Sequence, residues 1–433
     1  MFAVNALKSG WKIPLMSTIN NARALYSAKL SGSASAITEN PLPATFLRGG
    51  TSKGIFLNQN DLPSDKSRWN KIFLGIMGSP DPKYGRQLNG MGGGVSSLSK
   101  ICVVRPAQQK EKQELDADVE YTFVQVGIRD SEIDVSGNCG NLSSMIGVFA
   151  VDEGLCKPRL REDGQGALGS VRAFNTNTQK VIETTFPLRK TPNSRLEYTP
   201  DIDRPQTSIA GVTGKASTII LDFHNPSGAR TGKLLPTGNP QDLLTLSEST
   251  RVSGSLVDAT NPTVIVPYNQ LADHLSPTSL EQYTLGKQAN EVDEVLELLR
   301  GEGARKMGLD STAQAQPKIA IVSSPSASDF EDGVDVVVHA LSMGVLHKAV
   351  PMTLGLCLGV AAHVEGTLVW EIIRKRISSA HAQRDKDTSQ GLIRLRHPSG
   401  IVDVGAKFSE DGSVISAQVV RTGRRLMKGH VWW

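Results

Sequence analysis

The sequence predicts an α+β fold of two similar lobes, each a mostly antiparallel sheet wrapped around a central buried helix. Three observations carry this. The 433 residues exceed one ordinary core, since single cores stop growing near roughly 250 to 300 residues, so two lobes with a cleft between them are expected. Short β-rich runs alternate with Gly-rich turns, and regular helices between them are lacking, which disfavours a doubly wound parallel sheet. Each half then closes its strands with one stretch that is apolar nearly all round.

In the first half, strands are expected at residues 44–47, 54–57, 101–105, 120–126 and 133–135, with turns at Gly49-Gly50 and Gly92-Gly93-Gly94. A buried helix follows at 141–153, where Leu142, Met145, Ile146, Phe149 and Val151 recur near helical spacing. The second half repeats the plan with strands at 217–223, 255–258, 263–266, 318–322 and 334–340 and an apolar helix at 352–364. Surface helices fit 270–274 and 289–300, and the charged segment 378–390 reads as a loop. The lobes are placed at 41–215 and 216–433, after a presequence or disordered tail at 1–40.

Composition narrows the function. A formal charge of +4, from 47 basic and 43 acidic residues, with no aromatic-studded basic stripe, argues against nucleic acid and leaves a small anion as the better partner. The longest apolar stretch, 350–362, is interrupted by Pro351 and Thr353, far short of the roughly 20 residues of a membrane span. Cys102, Cys139, Cys156 and Cys357 form neither a C-x-x-C pair nor a zinc-spaced cluster, so neither a disulfide framework nor a metal site is signalled. Lys8, Lys12, Arg23 and Lys29 precede the first acid, Glu39, in a tail rich in Ser, Ala and Asn. That is transit-peptide composition, and it leaves mitochondrial and cytoplasmic locations both open. A homodimer is the expectation for a metabolic enzyme.

Three loops carry chemistry. Ser136-Gly137-Asn138-Cys139-Gly140-Asn141 puts a cysteine at the start of the first buried helix. There the backbone N–H groups and the positive dipole end stabilise a thiolate or a bound carboxylate, so Cys139 suits proton transfer and Asn138, Gly140 and Asn141 suit substrate contact. A packed structural cysteine is the alternative, and the default for the other three. The run GMGGGVSSLSK at residues 90–100 joins glycines to hydroxyls, Ser97 among them, and ends on Lys100 at the head of a strand. It is no Walker loop, and its glycines look made to bring backbone close to a ligand. Lys100 is read as the second acid/base group, a role that needs burial or a neighbouring cation to favour the neutral amine; a charge that pairs with substrate is the alternative. In RGGTSKG at 48–54, Arg48, Thr51 and Ser52 offer a carboxylate clamp, with an ordinary Gly-rich hairpin as the alternative. Asn261, and His347 and Thr353 at the start of the second helix, are further candidate contacts.

Taken in order, RGGTSKG (48–54), GMGGGVSSLSK (90–100), SGNCGN (136–141), TGKLLPTGN (231–239), HPSG (397–400) and RTGRRLMKG (421–429) resemble the PrpF family of aconitate, methylaconitate, methylitaconate and oxalomesaconate isomerases. That family shares the diaminopimelate epimerase-like fold. The resemblance implies two lobes with a site at their interface, no metal and no organic cofactor, with the active lysine at Lys100 and the active cysteine at Cys139. Asn261-Pro262 looks like the substrate-contacting Gly-Asn-Pro signature of that fold, with Thr260 where glycine is usual. Amino-acid epimerases of the fold place a second cysteine where this chain has Pro351 and Met352, so a two-cysteine racemase is disfavoured.

The expected activity is a cofactor-independent shift of an allylic proton and double bond on a small unsaturated tricarboxylate such as aconitate or 2-methylaconitate. Keto-enol tautomerisation of an oxo-tricarboxylate uses the same proton logic. A non-catalytic partner of a dehydratase is the reading from another class.

Overall fold

The computed structural model describes residues 40–163, 166–191, 197–285, 287, 289–342, 345–378 and 391–433. The presequence expected over 1–40 therefore lies outside the described residues apart from Asn40. So does the loop expected over 378–390, apart from Ser378, which ends a helix at Leu368–Ser378.

The first half of the chain contributes strands β1 (Leu42–Gly49), β2 (Ser52–Asn58), β3 (Lys100–Pro106), β4 (Val119–Val126), β5 (Gly166–Asn175) and β6 (Lys180–Lys190). Successive neighbours pair antiparallel, parallel, antiparallel, parallel and antiparallel. After β7 (Ile219–His224), the second half contributes β8 (Arg251–Ala259), β9 (Asn261–Pro267), β10 (Lys318–Ser323), β11 (Val336–Ser342), β12 (Leu392–His397) and β13 (Gly400–Phe408). They repeat the same five senses in the same order. β14 (Val414–Arg421) pairs with β13 and with β7, which in turn pairs with β6, and β15 (Gly423–Val431) returns to pair with β1. One ladder therefore runs through both halves, and the chain is α+β.

A parallel pair requires a crossover, and the crossovers hold the helices. Helix α1 (Trp69–Met77) links β2 to β3, and α4 (Asn290–Lys306) lies between β9 and β10. Between β4 and β5 run α2 (Gly140–Ser143) and α3 (Ile146–Asp152), and between β11 and β12 runs α5 (Met352–Ala361). Burial sorts them. Ile146 to Val151 of α3 and Leu354 to Ala361 of α5 are buried throughout and belong to one main core. The amphipathic α1 and α4 cover smaller cores on the opposite strand faces. Gly359 is what lets α5 lie on the sheet, since a Cβ there would sit 2.8 Å from the backbone of Gly405.

Two helix expectations need correction. The helix expected over 141–153 is broken at Ser144 and Met145, because the Ser143 and Ser144 hydroxyls donate back to the carbonyls of Cys139 (3.1 Å) and Asn141 (2.7 Å). The helix expected over 289–300 runs on to Lys306 through Gly301 and Gly303. A Cβ on Gly303 would meet Val264 at 2.4 Å, so this glycine is a packing residue and not a stop. Among the described residues no helix is long and apolar enough to cross a membrane.

Candidate active site

Cys139 caps the N-terminus of α2 in extended conformation, and its thiol donates to the Ser52 hydroxyl on β2 at 3.7 Å. It packs at the margin of the main core, so its surroundings are more apolar than its flanking residues suggest. The start of α2 meets the start of α5: a Cβ on Gly140 would lie 2.1 Å from the Met352 sulfur. Asn138 is tied inward, accepting from the Tyr121 hydroxyl (3.2 Å) and donating to Ser143 (3.1 Å). The other thiols are poor proton carriers. Burial pushes Cys156 and Cys357 up to about 12, and Cys102 well above its ordinary value.

Lys100 opens β3 and is buried. Its ammonium donates to Gln125 Oε1 and lies 5.1 Å from the centroid of the Phe123 ring. Gln125 is oriented for this, since its amide nitrogen donates to the carbonyls of Ser99 (2.9 Å) and Ser96 (3.2 Å). Lys100, Cys102 and Val104 share the face of β3 that carries α2 and α3, and the buried Cys102 thiol senses both the Lys100 and the Cys139 charge. Both candidate groups thus belong to the same face of the first half-sheet.

The glycines of the Gly-rich loop make room for protein: a Cβ on Gly92 would sit 2.4 Å from the Gln87 amide, and one on Gly90 would sit 2.2 Å from the Gly78 nitrogen. Fully buried Gln87 gathers the loop, accepting from Gly94 N (2.9 Å) and Ser99 Oγ (2.7 Å). Ser97 lies in the short turn Ser96–Leu98 beside it.

A cavity of 560 Å³ is lined by Thr51 and Asn141 from the first half, His347 and Ala349 to Met352 around the start of α5, His397, Arg421, and a loop carrying Thr207 to Ala210 and Lys215. Asn141 is its hinge, donating to Thr51 Oγ1 at 3.0 Å and accepting from Arg421 Nε at 3.1 Å. The lining acids are already engaged: Asp403 pairs with Arg394 at 2.8 Å, and Asp332 pairs with Arg396. Among the described residues no carboxylate pairs with Arg421 or Lys215, so the cavity keeps a positive excess. His347 is exposed there, its pKa lowered by burial of part of the ring and by Lys318.

Of the residues expected from sequence, Thr51, Asn141 and His347 line this cavity, and Gly140 adjoins it through Met352. Cys139 and Lys100 do not line it; Cys139 stands two residues before Asn141 at the same helix start, close enough for its charge to be felt at Arg421. Arg48 is turned away. Its guanidinium donates to the Gly50 carbonyl (2.9 Å) and the Thr422 carbonyl (3.1 Å) and borders a separate 210 Å³ cavity with Arg424. Asn261 is buried at the head of β9 with its side-chain oxygen unpartnered. Thr260 takes the glycine's conformation, φ 61°, and its hydroxyl donates to the Thr353 carbonyl at 2.8 Å, binding that turn to the start of α5. The residue that sequence reasoning missed is Arg421, whose only signal was its place at the head of RTGRRLMKG.

Fold and site together define an α+β protein in which two crossover helices meet beside an anion-attracting cavity and a thiol. The family model for the PrpF protein matches residues 40–433, and the chain belongs to that family. A 3-methylitaconate isomerase of Eubacterium barkeri is 34% identical over 406 residues, covering 90% of this chain and 97% of its own. A 2-methyl-aconitate isomerase of Shewanella oneidensis is 33% identical over 412 residues, covering 90% and 96%. The crystal structure of a methylitaconate-delta-isomerase superposes with a TM-score of 0.74 at 32% identity, covering 90% of this chain and 95% of that one.

Proposed function

We propose that this chain is a cofactor-independent isomerase that moves an allylic proton on a small unsaturated di- or tricarboxylate, with Lys100 and Cys139 as the acid/base pair. The observation that carries the reading is the meeting of the thiol-bearing helix start with a cavity whose cations exceed its free acids. Family membership and relatives named as isomerases of methylitaconate and 2-methylaconitate support it.

With one proton shared out between the pair, the group left deprotonated removes a proton from the carbon next to the double bond, and the electron pair delocalises through the alkene into a carboxylate. The other group delivers a proton to the far allylic carbon, so the double bond shifts with no net change in composition. Cations of the cavity and N–H groups at the helix starts stabilise the charge that gathers on the carboxylate oxygens. The buried, Gln125-held ammonium of Lys100 and the Ser52-held thiol of Cys139 are suited to act from fixed positions. The scaffold in this reading is two similar lobes, 41–215 and 216–433, supported by the repeated order of pairing senses, with β15 returning to β1.

The test is incubation with cis-aconitate, 2-methylaconitate, methylitaconate and oxalomesaconate in D2O, followed by proton NMR. Deuterium entry with double-bond migration in one of the first three is expected. Exchange in oxalomesaconate alone would make the enzyme a tautomerase, and exchange in none would refute the isomerase reading.

A further inference from the structure

Buried and partly buried guanidinium groups in this protein are commonly met by carboxylates. Arg425 pairs with Asp152 at 2.6 and 2.8 Å, Arg300 with Glu297 at 2.6 and 2.8 Å, and Arg394, on the cavity wall, with Asp403 at 2.8 and 3.3 Å. Arg421 lies on the same wall and is not. Its Nε donates to Asn141 Oδ1 at 3.1 Å and one terminal nitrogen donates to the Val420 carbonyl at 2.8 Å. A guanidinium carries five N–H donors, so most of its fork is uncommitted, and among the described residues no carboxylate pairs with it. Burial without a counter-charge pushes its pKa down to about 10, against the pull of Cys139.

The geometry around it is built. Gly50, in the left-handed region at φ 50°, leaves the space the pair needs: a Cβ there would lie 2.3 Å from Asn141 Oδ1 and 3.2 Å from Arg421 Cδ. Asn141 cannot turn over without setting its amide N–H groups against the Arg421 Nε–H, so its oxygen stays on the arginine while its nitrogen bonds Thr51. Asn141 is also two residues beyond Cys139, in the helix that the cysteine caps.

We propose that Arg421 is the receptor for the substrate carboxylate next to the reacting carbon: its free edge takes that carboxylate in a two-point fork, and Asn141 holds the guanidinium so that the carbon behind the carboxylate faces the Cys139 thiol. The inference rests on the isomerase reading above and deepens it, naming a planar carboxylate conjugated with the double bond as the group recognised. Negative charge flows into that carboxylate as the proton leaves, so the fork tightens in the transition state and Arg421 governs kcat as well as KM.

The experiment compares wild type, Arg421→Gln and Arg421→Lys on propene-1,2,3-tricarboxylate and its three monoamides, by solvent-deuterium exchange, with calorimetric titration of the unreactive propane-1,2,3-tricarboxylate alongside. Loss of one partner of a buried charge pair corresponds to roughly 100-fold or more in kcat/KM for Arg421→Gln. Arg421→Lys keeps the charge but not the fork and recovers only part of it. The loss should collapse for the monoamide that replaces the recognised carboxylate. Wild-type kcat/KM in Arg421→Gln, or an equal loss on the triacid and all three monoamides, would overturn the proposal. If Arg421→Gln does not fold, titration of Arg421→Lys decides: at least tenfold weaker binding supports the proposal, and unchanged binding rejects it. A wild-type protein that exchanges no proton of any substrate rejects the isomerase reading instead, and the titrations then still decide whether Arg421 receives a carboxylate.

Discussion

The α2/α3 crossover and the α5 crossover occupy the same place in a repeated pairing order, and their first residues touch, yet they begin in opposite ways. The first starts on Cys139 with Ser52, Asn141 and Arg421 around it, and its opening turn is interrupted by serine hydroxyls that bond back to the backbone. The second starts on Pro351 and Met352, runs ten residues without interruption and is apolar on every side. The repeat thus delivers two helix starts to one place, and in the proposed reading proton transfer belongs to one start and packing to the other.

The comparison breaks most readily at its chemical end. Cys139→Ser and Lys100→Ala should each lower turnover by about 10² to 10⁴, the usual worth of a positioned acid or base, while the thermal midpoint stays near wild type. Met352→Leu, at the facing start, should stay within about tenfold. An active Cys139→Ser protein beside an inactive Met352→Leu protein would reverse the assignment.

The contact between the two starts gives the next largest effect. Gly140→Ala places a Cβ 2.1 Å from the Met352 sulfur, so the thioether must move, and a loss of about tenfold in kcat/KM with about 1–3 kcal/mol of stability is expected. Met352→Ala in the same chain should return most of it. Additive losses in the double variant, read by denaturant titration and turnover, would show that the two starts are not in contact.

Legibility from sequence followed how local each signal was. Cys139, Asn141 and Thr51 stand in short Gly-flanked motifs, and α3 and α5 announce themselves as apolar runs. Arg421 does not, because it meets Asn141 from 280 positions away, and within one short motif it ends β14 while Arg425, which is spent on Asp152, and exposed Arg424 already belong to β15. Arg48 looked equally available and is consumed by the Gly50 and Thr422 carbonyls. Among the elements, β6 and β15 carry charged residues at exposed positions in place of a clean apolar alternation, and α1 is nine residues long. The glycines at 90–94 were visible as a loop, but that they make room for Gln87 and Gly78 is a tertiary fact.

Smaller effects sharpen the account of the second start. Thr260 pairs a left-handed backbone, which costs a non-glycine residue about 1–2 kcal/mol, with a hydrogen bond of about 1 kcal/mol to Thr353. Thr260→Ala keeps the strain and loses the bond, so urea titration should show about 1 kcal/mol of destabilisation. Thr260→Gly trades one against the other and should fall within about 1 kcal/mol of wild type.

The seam between the halves gives the smallest effect. Glu183 on β6 is held at about 2, first by its hydrogen bond from His224 on β7, against burial. A depressed carboxylate contributes stability above its unfolded value near 4.5 and loses it as pH falls from there toward 2. Glu183→Gln should flatten that acid limb by about 1–2 kcal/mol in denaturant titrations across pH, discounted for its partial exposure.

The central claim is that Lys100 and Cys139 serve the two ends of one allylic system as a unit, and the most direct measurement is kcat/KM of the Cys139→Ser/Lys100→Ala double variant against each single. Groups that act together in one proton shift are strongly non-additive, so the double variant should be no worse than the poorer single within about threefold. Losses that multiply would mean that the two side chains work independently, and would contradict the account.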